Sequence, residues 1–154
     1  MKKLLLSGLI TIPLVLGMNT MTLEAQASSA NVVSETGVLR NGQDHFFEVA
    51  VQAEPLKRLR VKCVTFHELD SLAVFIDGQK VTPQEHFGFE EFTLTFDEPV
   101  PVGETIRVVM LNSRIPGRFL KSVAVPYRIF ANYPRFSNDE FPLGTAVVRS
   151  PQKR

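Results

Sequence analysis

Tryptophan is absent from the 154 residues, cysteine occurs once and tyrosine only twice. One cysteine excludes a disulfide scaffold within the chain and any four-thiolate zinc site. Charge of a single sign is also missing: 17 Lys and Arg stand against 16 Asp and Glu, a formal net charge of +1. That balance excludes the strongly basic footprint of a nucleic-acid binder, so nucleic acid is not an expected partner. Catalytic motifs are lacking too. The chain has no G-x-S-x-G nucleophile elbow, no H-E-x-x-H zinc helix and no glycine-rich phosphate loop. With no nucleophile beside an oxyanion hole, neither catalytic residues nor a cofactor is expected. What is present, 44% hydrophobic and 21% charged residues with twelve phenylalanines and ten prolines, describes an ordinary globular protein.

The longest apolar run lies at the amino terminus. Lys2 and Lys3 precede Leu4 to Leu16, and a more polar stretch then ends in Ala25-Gln26-Ala27. A cationic start, a short apolar segment and a small-x-small site make up a secretory signal peptide. The run falls short of the roughly 20 residues that span a bilayer. The expectation is a signal helix over 1–27, cleaved after Ala27, and no membrane association afterwards. Export to a periplasm, a thylakoid lumen or the cell exterior follows, and with it an oxidising compartment.

Losing Lys2, Lys3 and Glu24 with the leader turns 17 bases and 16 acids into 15 of each. The balance hides segregation. Between Glu68 and Glu104 nine acids accompany Lys80 alone, and between Arg107 and Arg154 nine bases accompany Asp139 and Glu140. Acidic and basic strands pairing across a sheet would account for it. A basic face for an anionic partner is the other account, and the paired strands are favoured over it because segregation along the chain need not be segregation in space.

Strand periodicity runs through the rest. Residues 28–37 are small and polar and read as a flexible lead-in. Asn41-Gly42 suits a type I′ turn. Phe47, Val49 and Val51 alternate with polar neighbours, and Leu59, Val61 and Cys63 alternate with Arg58, Arg60 and Lys62, giving a strand with a basic outer face. Leu72–Ile76, Asp77-Gly78 and Gln79–Thr82 form a hairpin signature. Phe92, Leu94 and Phe96 alternate again before the Glu98–Gly103 proline-glycine corner, which should end the ladder. Thr105–Leu111, Phe119–Val125 and Thr145–Arg149 complete the set. Pro126 should end its strand or sit at an edge or bulge. Residues 130–143 read as a surface loop. No long 3.6-residue period occurs in the mature chain. The expectation is an all-β, immunoglobulin-like β-sandwich of seven or eight short strands over 38–150, with a disordered tail at 151–154.

Two constellations carry chemistry. Arg114, Arg118, Tyr127, Arg128, Tyr133 and Arg135 join guanidinium donors to aromatic rings, which a protein or an anionic polysaccharide could use. Strand alternation with core aromatics and solvated arginines would produce the same interleaving. His45, Cys63 and His67 superficially match a copper ligand set, with His86 as a further imidazole. The strand period turns Cys63 inward as a small hydrophobe, which argues for packing. A non-enzymatic binding or structural accessory role is therefore the main expectation. Metal handling through His45, His67 and His86 is the alternative.

Several segments also have a familiar order. These are His45-Phe46-Phe47-Glu48-Val49, Glu54–Leu59, Phe96–Ile106, Gly117–Leu120 with Val123 and Val125, and Leu143-Gly144-Thr145-Ala146. Together they resemble a family of small exported cyanobacterial proteins, domain of unknown function 2808. Ala53 stands where that family usually has glycine. The resemblance implies an exported sandwich-like domain and supplies no catalytic residues.

Overall fold

The computed structural model describes residues 31–64, 68–113, 122–136 and 139–151, with only the backbone of 122, 123, 150 and 151. The leader and the 28–30 part of the lead-in lie outside these residues. Within them are ten strands: β1 (Val32–Val38), β2 (His45–Ala50), β3 (Leu56–Cys63), β4 (Ser71–Ile76), β5 (Gln79–Val81), β6 (Gln84–Gly88), β7 (Glu91–Val100), β8 (Thr105–Leu111), β9 (Ser122–Asn132) and β10 (Glu140–Pro151). They form two five-stranded sheets, ordered β1-β2-β8-β4-β5 and β10-β9-β3-β7-β6. Every pairing is antiparallel. The architecture is an immunoglobulin-like β-sandwich.

Alternation decides which residues meet between the sheets. Leu59, Val61 and Cys63 of β3 face Phe47 and Val49 of β2 and Ile106, Val108 and Met110 of β8 across one apolar core. Leu94, Leu59, Ile106 and Ile129 are fully buried, each worth roughly 1.5–3 kcal/mol over exposure. Phe46, Phe47, Phe92 and Phe96 are buried, but Phe87, Phe89, Phe136 and Phe141 are exposed. Aliphatic side chains therefore fill more of the core than the phenylalanine count suggested.

The lead-in is a correction. From Val32 onward it is β1, held by its ladder to β2 and by the Thr36 hydroxyl, which donates to the Val147 carbonyl at 3.2 Å. Strand β6 carried no sequence signal, since all five of its residues are exposed and none alternates. The loop expected over 130–143 is also revised. β9 continues to Asn132, a 3-10 turn occupies Pro134–Phe136, and β10 starts at Glu140. Pro142 is tolerated because β10 is an edge strand, and a register shift before Gly144 (φ +145°) absorbs the irregularity. The expected tail begins later than supposed, since Pro151 still pairs with Ser122.

Pro99 and Pro126 also sit inside strands, at tolerant positions. β7 runs through Pro99 to Val100, with a register shift in its partner between Leu56 and Arg58. Pro126 lies within β9. Its carbonyl accepts from the Val64 N–H at 3.1 Å, so the ring nitrogen on the same side faces the margin where β3 departs. At the first turn, Asn41 keeps a negative φ. Its Oδ1 instead accepts from the Gln43 and Asp44 N–H groups at 3.0 Å, and Gly42 alone is left-handed at φ 71°. Asp77-Gly78 does take the double positive φ (46° and 81°) of a type I′ turn.

Candidate binding surface

The β10-β9-β3-β7-β6 sheet turns Leu59, Val61, Tyr127 and Ile129 inward, so Arg58, Arg60, Lys62, Arg128 and Phe130 stand on its outer face. The β9–β3 register sets Lys62 directly opposite Arg128 and Arg60 opposite Phe130. Arg149 lies on the same face, opposite Ala124.

Arg60 is tied down. Its guanidinium reaches Glu140 at 2.6 Å and Glu91 at 3.2 Å, and it stacks over the Phe130 ring at 4.4 Å. The hydrogen bond to Glu140 is the largest influence raising its pKa above the ordinary arginine value. These contacts fasten β3 to β7 and to β10. Around this anchor, Arg58, Lys62, Arg128 and Arg149 make no ion pair among the described residues. Like charges directly opposite on a ladder destabilise it by up to about 1 kcal/mol. Lys62 stands between Arg128 on β9 and Glu91 on β7, whose carboxylate is held by Arg60 at 3.2 Å. Exposed Val147 and half-buried Phe130 add apolar surface between the cations.

The expected site residues do not assemble as one surface. Arg128 is on this face. Tyr127, only 1% exposed, points the opposite way into the core, where its hydroxyl is 2.7 Å from His45 Nδ1. Burial pushes its pKa up, with a smaller contribution from Cys63. Tyr133 is also buried, packing against Phe136 and Phe141. Burial is the main cause of its raised pKa. Both tyrosines therefore leave the exposed set. Arg135 is exposed near the sheet end and pairs with Glu54 at 3.3 Å. Arg114 and Arg118 lie outside the described residues. The members missing from the original set are Arg58, Lys62 and Arg149. The basic face of β3 was readable, but its place beside β9 was not.

The histidines separate as well. His45 is fully buried between the sheets, and burial lowers its pKa from 6.5 to about 4. His86 is exposed on β6, in register with Thr93 and so on the outer side of the other sheet. His67 lies outside the described residues. The metal-handling alternative thus loses the proximity of His45 and His86. Among the described residues, no group of three or more His, Cys, Asp or Glu side chains is placed to hold a metal ion. Cys63 is buried, as its strand period indicated.

The outer face of the first sheet holds a cavity of about 700 Å³. Leu39, Ala73, Phe75, Val109 and Leu111 make its apolar wall, and Arg107 bonds Glu48 there at 2.7 Å. Arg107 also approaches Glu35 at 3.6 Å. With Arg60–Glu91, this shows opposite charges pairing across ladders in both sheets. Arg107 and Arg135 pair with acids that precede the acidic middle of the chain.

Fold and surface together define an immunoglobulin-like sandwich with one basic sheet face. No family model matches the chain, and no curated protein does. Among solved structures, it is similar to BcpA, the major pilin subunit of Bacillus cereus, at 13% identity and a TM-score of 0.49. That match covers 70% of this chain and 34% of the pilin chain, so the present chain spans about a third of that protein's length. A collagen-binding domain from a Staphylococcus aureus adhesin matches at 8% identity and a TM-score of 0.46, covering 79% of this chain and 97% of that one. The collagen-binding subdomain of an Enterococcus faecalis surface protein matches at 12% identity and 0.47, covering 80% and 95%. At these values the likeness concerns the fold alone.

Proposed function

We propose that the protein is an exported, non-enzymatic binding module that engages an anionic partner, an acidic polysaccharide or an acidic protein surface, through the outer face of the β10-β9-β3-β7-β6 sheet. One observation carries the reading: Lys62 and Arg128 stand directly opposite each other, with Arg58 and Arg149 on the same face, and none of the four makes an ion pair among the described residues, Glu91 opposite Lys62 being bonded to Arg60. Such a cluster raises the local concentration of anions and gives binding a steep salt dependence. Export rests on the amino-terminal signal pattern and accords with the cyanobacterial family resemblance. No helix among the described residues is long and apolar enough to cross a membrane.

Retention on an immobilised sulfated polysaccharide tests the reading. The mature chain is retained at low salt and released as salt rises. The Lys62→Glu/Arg128→Glu double variant loses about tenfold or more in affinity, roughly 1.4 kcal/mol. Arg135→Glu, whose partner is Glu54, leaves retention nearly unchanged. Equal retention of the double variant, or no retention of the parent chain, overturns the proposal.

A further inference from the structure

Every open sheet ends in strands whose outer N–H and C=O groups lack a partner, and proteins blunt such edges by shortness, closure or charge. Among the described residues the sheet edges are β1, β5, β10 and β6. β1 and β10 lie against one another, joined by Thr36 and the Val147 carbonyl. β5 has only three residues. β6 has five, all exposed, and among the described residues pairs only with β7. In an antiparallel ladder, alternate residues turn both backbone groups away from their neighbour. On β6 those groups face outward from the sheet.

The surroundings of this edge have a definite chemistry. Phe87 is 51% exposed and Phe89 is 84% exposed. Phe87 tilts against Phe92 at 6.3 Å between ring centres, beside a cavity of about 240 Å³. Val61, Leu69 and Phe92 supply apolar wall to that cavity, which Glu68, Glu90 and Glu91 also line, the Glu91 carboxylate being held by Arg60. From Val81 to Ile106 the chain carries six acids and no Lys or Arg. Glu85 is in register with core Leu94, so its carboxylate stands on the core-facing side of the edge.

We propose that β6 is a strand-addition site for an extended peptide that carries a basic and an apolar residue two positions apart, matching Glu85 and Phe87 on one face of β6. The peptide backbone pairs with the outer groups of β6, an apolar side chain packs over Phe87 toward the cavity, and cationic side chains face Glu85 and Glu90. Main-chain bonds supply the affinity and the acids supply the selection. A neutral apolar strand would leave the Glu85 carboxylate desolvated without a counter-charge, which discriminates against it. A second copy of β6 is disfavoured for the same reason, since it would set Glu85, Glu90 and Glu91 against identical acids. The inference is independent of the anionic-partner reading, because the two surfaces select partners of opposite charge.

Three short blocked peptides provide the test: a Lys/Val peptide of sequence Thr-Lys-Thr-Val-Thr-Lys-Thr, which sets Lys and Val on one face, one with Glu replacing Lys, and one with Pro replacing Val. Binding is read by titration and by amide hydrogen exchange of the full mature chain. The Lys/Val peptide is expected to bind saturably and to slow exchange on β6, while the Glu and Pro peptides do not bind. Glu85→Lys weakens the Lys/Val peptide about tenfold, and Lys62→Glu does not weaken it. Failure of the Lys/Val peptide to bind overturns the inference, as does equal binding by the Pro peptide or by Glu85→Lys. So does protection away from β6, or protection of β6 that grows with protein concentration alone.

Discussion

Acidification should weaken the fold through one buried side chain. His45 has no exposed surface, and its Nδ1 lies 2.7 Å from the Tyr127 hydroxyl on the opposite sheet. Burial is the dominant cause that lowers its pKa from 6.5 to about 4, and nearby Asp44 pulls weakly the other way. In the unfolded chain the imidazole titrates near its ordinary value. Above pH 7 it is neutral in both states and contributes no pH dependence. As pH falls below 6.5, the unfolded chain takes up a proton that the native chain refuses. Stability then declines by up to ~1.4 kcal/mol per pH unit until the native imidazole protonates near pH 4. The drop from 6.5 to about 4 corresponds to a loss of about 3 kcal/mol. Urea unfolding of the parent and of His45→Gln, measured between pH 8 and 4, isolates this effect, because carboxylate titration is common to both. The parent's stability relative to the variant should be flat above pH 7 and fall by about 3 kcal/mol by pH 4. A difference that stays constant across that window would refute the buried, neutral imidazole.

Other consequences follow from named contacts. Arg60→Ala removes the links to Glu91, Glu140 and the Phe130 ring, and should lower stability by about 1 kcal/mol, less in high salt, as read from the urea midpoint. At Gly37 an added Cβ would meet Phe46 Cε1 at 2.8 Å. Gly37→Ala must displace a buried ring that carries Arg107 at 4.7 Å, so thermal unfolding should report a loss of about 1–3 kcal/mol. The Cys63 thiol is buried, and should react with a thiol reagent only slowly in the native state and rapidly in urea.

Strands were readable where one face is buried and the other wet. β3 and β7 show it: Leu59-Arg60-Val61-Lys62 and Phe92-Thr93-Leu94-Thr95 alternate cleanly because each side chain has one environment. β1 and β6 escaped, since their order comes from a neighbouring strand and not from their own side chains. The same limit governed the site. Arg128 was found, and the period of Val125, Tyr127, Ile129 and Ala131 places Tyr127 on the face opposite Arg128, a parity the residues themselves carry. The pairing of Lys62 with Arg128 was not readable, because it depends on β9 lying beside β3, a contact between segments some 60 residues apart. Likewise Arg135 looked like a member of the cluster until the fold brought Glu54 beside it.

The central claim, that the outer face of the β10-β9-β3-β7-β6 sheet takes an anionic partner, is tested most directly by residue-resolved amide shifts during titration with a sulfated oligosaccharide. The account predicts saturable shifts centred on Arg58 to Lys62, Ala124 to Phe130 and Thr145 to Arg149, diminishing as salt is added. Shifts centred on the Leu39–Phe75–Leu111 cavity or around Arg135, or the absence of any saturable shift at low salt, would contradict it.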